Sequence, residues 1–491
     1  MERRNFLRNI GLFSAAAAVP VGNVFASRNS LFAGNIITGT VTSNGKGIAN
    51  VAVSDGYNLV LTDKNGSYSF EAHYHAEFVF VSSPAGHEFD AVRGIANFYK
   101  SIDKNSKQQQ LDFALSKLKI DDNKHAFIIW GDTQIQSKED AALLKTVSAP
   151  DTKALAASLS AVPVHAIAVG DLVFDKFDLF DDYKEAVSTV GIPFFQLIGN
   201  HDMDYTARTD DGSQATFKSH FGPTYFSFNR GKVHYVVLDD VFFIGSGHRY
   251  IGYLTENQLA WLEKDLQHVP KGSTVVVSLH IPTNNGQKQL KKAKEEELGG
   301  VVSNREALYS LLKPFKVHIM SGHTHFNENW EKENIMEHNH GTVCGAWWTG
   351  PICGDGTPSG YGVYEVEGDE VKWYYKSVGY TKEHQLTIYK KGEVAARPNA
   401  VVANVWNFDD KWKVEWFEDG AAKGKMERIA DFDPAAVQLY LGPTIPIKHK
   451  WVEPNLTEHL FMAMPSATAK ELKVRVTDRF GNIYEKTMSP V

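Results

Sequence analysis

Five apolar runs in this sequence each end on a residue able to hold a cation or move a proton, and that repetition constrains the fold more than any other feature. Phe127-Ile128-Ile129-Trp130-Gly131 leads into Asp132, and His165-Ala166-Ile167-Ala168-Val169-Gly170 into Asp171. Ile192-Pro193-Phe194-Phe195-Gln196-Leu197-Ile198-Gly199 leads into Asn200-His201-Asp202. Val275-Val276-Val277-Ser278-Leu279 leads into His280, and Val317-His318-Ile319-Met320-Ser321-Gly322 into His323-Thr324-His325. Apolar runs of this length bounded by turn residues read as buried strands. In open α/β sheets, ligands bind outside the carboxyl ends of such strands. One site built from several strand ends is the expectation.

Between the runs lie helical patterns at Lys138 to Leu144, Asp151 to Leu159, and Thr255 to Leu266. Thr255 with Gln258 three residues on predicts a capping box at the start of the last. Strands alternating with helices argue for an α/β class with sheets covered by helices over residues 119–380. Tyr361 to Tyr364 and Val371 to Tyr375 alternate as strands expected to finish the second sheet. The stretch Gly286 to Gly300 reads as a surface loop or short helix over one rim, and its charge run Lys288 to Glu297 as a solvated face. Cys344 to Tyr361 is glycine-rich and carries Trp347 and Trp348 side by side. Successive residues of a strand face opposite ways, so one of the two tryptophans is expected at a cavity or an interface. Cys344 and Cys353 are the chain's two cysteines, either bridged or free.

A chain of 491 residues exceeds what one core usually organises. Residues 34–118 read as a β-sandwich domain, with strands at Asn35 to Thr42 and Ile48 to Val53 around the Asn44-Gly45 turn. Residues 381–491 read as an all-β domain, with strands at Leu386 to Tyr389, Val401 to Trp406, Trp412 to Phe417, Leu460 to Ala463 and Glu471 to Val476. Residues 1–26 have the form of an export signal: Arg3, Arg4 and Arg8, an apolar run from Ile10 to Val21, then Val24-Phe25-Ala26 before Ser27. The expected location is periplasmic or secreted, with no integral membrane domain after signal removal. A formal net charge of -7 lacks the basic footprint of a nucleic-acid partner, and two cysteines are too few for a thiolate metal cluster.

The strand-end set has a chemistry of its own. Two cations held close together need carboxylate and imidazole ligands, one of which bridges, and such a pair can activate a water and neutralise phosphoryl charge. Asp132 and Asp171 read as the only carboxylates placed directly at the ends of buried strands. Asn200, His280, His323 and His325 offer neutral ligands.

In order and context, Asp132-Thr133-Gln134, Gly170-Asp171, Gly199-Asn200-His201-Asp202, His280 and Gly322-His323-Thr324-His325 resemble the signature of the calcineurin-like metallophosphoesterase superfamily. The resemblance implies a four-layer α/β/β/α sandwich flanked here by two all-β domains. It implies a first metal on Asp132, Gln134, Asp171 and His325, and a second on Asp171, Asn200, His280 and His323. His201, oriented by Asp202, would protonate the leaving group or bind a phosphoryl oxygen. Gln134 stands where the superfamily usually has histidine; its harder amide oxygen turns the first site away from zinc and towards manganese, iron or magnesium. The cofactors implied are two divalent or trivalent ions (Mn, Fe, Mg or Zn), and the substrate a small phosphate monoester or diester. The first residues resemble a twin-arginine signal, with Glu2 in place of its usual Ser or Thr. The N-terminal domain resembles transthyretin-like, carboxypeptidase-regulatory-like sandwiches, and the tail Ala469 to Thr487 an immunoglobulin- or fibronectin-like hairpin. The whole order is similar to exported phosphoesterases of Bacteroidota. The competing expectation is an exported carbohydrate- or surface-binding protein with a vestigial phosphoesterase core.

Overall fold

A computed structural model of the chain describes residues 35–446 and 448–489; the segment 1–26, expected to be an export signal, lies outside them. Two mixed sheets form the centre. In the first, the strands Lys124–Trp130, Val164–Val169 and Phe194–Leu197 run parallel. In the second, Val233–Val237, Thr274–Ser278 and Lys316–Ser321 do the same.

Period-two alternation sorts these strands' side chains between two hydrophobic environments. Phe127 and Ile129 of the first strand join Ile167, Val169, Phe195 and Leu197 against the second sheet's Val275, Val277 and Ile319. Ile128 and Trp130 point the other way, into a core shared with Phe180, Tyr183 and Val187 of the helix Phe180–Val190. On the far side, the helices Glu256–Leu266 and Arg305–Leu312 bury Trp261, Leu262, Leu308 and Leu312. The result is a mixed α/β core of four layers.

Several local expectations change. The helical patterns from Lys138 and from Asp151 run together, because a π-helical turn over Leu144–Ser148 joins Lys138–Leu143 to Ala149–Ser158. Thr255 does cap Gln258 N–H, but the Gln258 side chain turns inward to the backbone of Asp239 instead of closing the box. The hairpin Gly360–Glu367 and Glu370–Ser377 completes the first sheet, not the second: Gly360–Glu367 pairs antiparallel with Lys124–Trp130. Its long alternating run gives no sign of which open edge it will find. Ala49 and Asn50 form a turn, with Asn50 left-handed (φ 60°), and the strand begins at Ala52.

β-rich sheets flank the core. At the N-terminal side, Ile95–Ala96 pairs with the first sheet through Phe194, so that domain is stitched into the core's own hydrogen-bond ladder. At the C-terminal side, two four-stranded sheets enclose Val401, Ala403, Trp412, Val414, Phe461, Leu472 and Val474. Both cysteines are free thiols, buried on either side of Thr342. Among the described residues no helix is long and apolar enough to cross a membrane.

Candidate metal centre

The carboxyl ends of the two sheets face one another, and the residues that end them converge. Asp132, Gln134, Asp171 and Asn200 come from the first sheet; His280, His323 and His325 come from the second. All but His323 are at most 4% exposed, and His323 is half-buried. Asp132, Gln134, Asp171, His323 and His325 all have left-handed backbones, with φ from 36° to 69°. Non-glycine residues in that region cost of order 1–3 kcal/mol each and cluster at functional sites. Glycine appears where the loops cannot spare a Cβ: one on Gly199 would sit 2.2 Å from Asp171 Oδ1, and one on Gly322 2.5 Å from Asp132 Oδ2.

The tightest convergence involves Asp171, His280 and His323, whose ligand atoms lie within 4.8 Å of one another. His280 is locked across the sheets, Nδ1 donating to Val169 O at 2.8 Å. Its Nε2 then faces Asn200 Oδ1 at 3.0 Å, His323 Nδ1 at 3.2 Å and Asp171 Oδ1 at 3.3 Å. His323 donates from Nε2 to Gly299 O at 2.9 Å, leaving Nδ1 as a lone pair. Four electron-rich atoms therefore surround one point, and a single ring N–H cannot satisfy them. Positive charge belongs there. Burial opposes charge on His280, yet Asp171, with Asp132 and Asp240, raises it to about 10. Burial likewise works against ionised Asp171, but His280, His201 and His323 hold it far below the usual carboxylate range.

Beside this lies a second group of donors. Asp132 accepts His323 N–H at 2.9 Å, and His325 Nε2 stands 3.5 Å from Asp132 Oδ1. The Gln134 amide donates from Nε2 to Asp171 Oδ2 at 2.6 Å, while its Oε1 and the Nδ1 of His325 are buried without partners among the described residues. Rotating the terminal amide exchanges its oxygen for its nitrogen in the same space, so Gln134 can present an oxygen ligand beside Asp171. Asp171 thus has one oxygen towards His280 and the other towards Gln134.

His201 sits beside this set. Its backbone N–H donates to Asp171 Oδ1 at 2.9 Å, and its ring stacks on Phe174 at 3.9 Å. The ring is held by Asp175, 3.0 Å from Nδ1, and not by Asp202. Asp202 is fully buried and accepts the backbone N–H groups of Leu172, Val173 and Gly199. It ties the Asp171 loop to the Asn200 loop, a task for which a short acceptor pointing back along its own turn is better placed than for reaching the neighbouring ring.

Three family models match the sequence: the N terminal of Calcineurin-like phosphoesterase over residues 35–118, Calcineurin-like phosphoesterase over 109–327, and the C terminal of Calcineurin-like phosphoesterase over 337–484. The chain belongs to the calcineurin-like metallophosphoesterases.

Asp171, His280 and His323 form the kind of candidate metal site that dimetal phosphoesterases carry. No curated protein matches this metallophosphoesterase in sequence. Among solved structures, it is similar to a dimetal phosphatase from Danio rerio at 14% identity, over 52% of this chain and 96% of that one, with a TM-score of 0.36. It is similar to purple acid phosphatase PPD1 from yellow lupin at 15% identity, over 67% of each chain, with a TM-score of 0.36. A 5'-nucleotidase from Candida albicans gives 13% identity over 53% and 52%, with a TM-score of 0.33.

Several residues of the phosphoesterase site escaped the sequence reading. Asp240 accepts the backbone N–H of His280 at 3.0 Å. Its signal was present, because Val233 to Leu238 is a sixth apolar run that ends on Asp239 and Asp240, both buried. Asp132 and Asp171 are therefore not the only carboxylates at buried strand ends. Asp175 follows Asp171 by four residues in a loop and carries no periodic signal. The loop Gly286 to Gly300 reaches the site through the Gly299 carbonyl that His323 bonds, past its charge run Lys288 to Glu297, which is mostly exposed.

Proposed function

We propose that the chain hydrolyses a small phosphate monoester or diester at a two-metal centre in a catalytic domain spanning about residues 119–380. The single observation that carries this is the position of the Asp171 carboxylate between two sets of donors. Asn200, His280 and His323 would hold one ion with it, and Asp132, Gln134 and His325 the other. When bound, the ions supply Lewis-acid charge to the phosphoryl group and lower the pKa of an attacking water.

The chain's own part is positioning. The sheet ends fix the donors before substrate arrives, so little reorganisation is left for the reaction. His201 is the proton donor in this reading. One ring nitrogen is held by Asp175, and the other has no partner among the described residues. Its side chain is 23% exposed, which leaves it open to the ester oxygen while Phe174 keeps the ring plane fixed. The vestigial-core alternative fits poorly with a donor set complete except for the Gln134 exchange. The apolar run and arginines of residues 1–26 support export to the periplasm or beyond, before or after metal loading.

A departing alkoxide needs a proton and a nitrophenolate hardly does. General acid catalysis is typically worth about a hundredfold to ten-thousandfold. His201→Ala is expected to keep both metals and to lose far more kcat/KM on an alkyl phosphate than on the nitrophenyl ester. Equal losses on both would leave His201 as a binding group for a phosphoryl oxygen and remove the proton-donor role.

A further inference from the structure

The rim of the site on the His325 side is aromatic, and part of it comes from the C-terminal domain. Trp347 stacks on the His325 ring with centroids 4.1 Å apart and planes 20° apart. Trp451 meets Trp347 edge to face at 4.6 Å. Trp348 donates its indole N–H to the carbonyl of Thr133, between Asp132 and Gln134. Both adjacent tryptophans have left-handed backbones, φ 50° and 59°, an arrangement rare for bulky residues and kept only where surroundings impose it. Trp347 is largely covered, its indole nitrogen buried without a partner among the described residues, whereas Trp451 is 53% exposed.

Trp451 is not a stray surface ring. The segment that carries it is pinned on both sides to the core. Lys448 pairs with Asp140, whose other oxygen accepts Gln136 N–H just beyond Gln134. Val452 is buried, Asn455 N–H donates to Gly354 O at 2.8 Å, and Tyr440 Oη donates to Ile352 O at 2.6 Å. An indole held this firmly, two ring contacts from a metal-ligand candidate and still half open to water, has the form of a binding platform. Its face suits a flat ring with little polarity, and it costs little entropy to use because it is already ordered.

We propose that Trp451, backed by Trp347, is the wall of the cleft that receives the alcohol portion of the substrate, and that this alcohol carries a ring. The inference rests on the phosphoesterase reading above and names the substrate class of that site. An aromatic ring and the apolar face of a sugar share the chemistry, so both are tested.

The experiment uses the full chain with metals supplied. Turnover of 2-phenylethyl phosphate and of a hexose 6-phosphate is measured against ethyl phosphate, whose leaving alcohol is also aliphatic. In Trp451→Ala, the kcat/KM ratio of at least one ring ester to ethyl phosphate is expected to fall about tenfold or more, the scale on which apolar pocket contacts discriminate. The loss should lie mainly in KM, and Trp451→Phe should restore part of it. Calorimetric binding of phenylphosphonate against methylphosphonate should show the same loss of preference without any turnover. Unchanged turnover ratios for both rings, with an unchanged binding ratio for phenylphosphonate, would overturn the proposal while leaving the phosphoesterase reading intact. No turnover of any ester by the wild type would instead sink that reading, and the binding ratio would still decide the role of Trp451.

Discussion

Gln134 shows what one residue would do to a proposed metal site. In that reading it is a ligand to the ion beside Asp171, and its amide lies 2.6 Å from that carboxylate. An amide oxygen is a harder and weaker donor than imidazole, so it favours manganese, iron or magnesium over zinc. Gln134→His is expected to raise zinc retention at that site relative to manganese, checked by competition between the two metals on the apo-protein. An unchanged preference would mean that Gln134 only orients Asp171 through the hydrogen bond seen here. That Asp132, Asp171, Asn200, His280, His323 and His325 lie close together was legible because all six follow the ends of five apolar runs, and strand ends on facing sheets are where such residues meet. The partner of His201 was not readable. Asp202 is its neighbour in sequence, but Asp175 is its neighbour in space, and only the path of the loop after Asp171 decides between them.

At the scale of elements, the site is a set of loops held by buried acceptors. Asp202 takes N–H groups from both the Asp171 loop and the Gly199 turn. Burial, then the nearby Asp171 charge, push its carboxyl up to about 7, against the pull of those donors. Removing it leaves several buried N–H groups without partners, at about 1–3 kcal/mol each in the general case. Asp202→Ala is expected to lower the thermal midpoint by several degrees and to weaken metal binding, with His201 still paired to Asp175. A variant with normal stability would show that water replaces the carboxylate there. The strands and helices of the core followed from periodicity because each has one unambiguous apolar face. The hairpin from Gly360 to Ser377 misled because alternation fixes which side of a strand is buried and says nothing about which sheet edge it joins. The joined helix at Leu144–Ser148 was missed for a related reason: Pro150 reads as a break between two helices, whereas a π-helical turn, which leaves no periodic trace, carries the chain through to it.

Across the whole molecule, the three family segments are closely bound together. The N-terminal segment lends Ile95–Ala96 to the central sheet, and one hydrophobic core contains Val53, Phe80 and Phe98 together with Phe195, Phe226 and Trp261. The C-terminal segment holds Asn327 of the central one, Asp355 accepting its backbone N–H at 2.8 Å and the Trp406 carbonyl its side-chain amide at 2.7 Å. If the first residues act as an export signal, the mature protein recovered from its host should begin at Ser27, as read by N-terminal sequencing; an intact Met1 on all exported protein would remove that role.

In the proposed function Asp171 holds two ions at once, and the variant Asp171→Asn separates that role from a merely structural one. Metal content and turnover are measured side by side in wild type and variant, with circular dichroism to show that the fold is kept. The wild type is expected to hold about two ions per chain, as two-metal hydrolases do, and the variant to lose bound metal and orders of magnitude in turnover together. Full metal content with a near-normal rate in Asp171→Asn would contradict it.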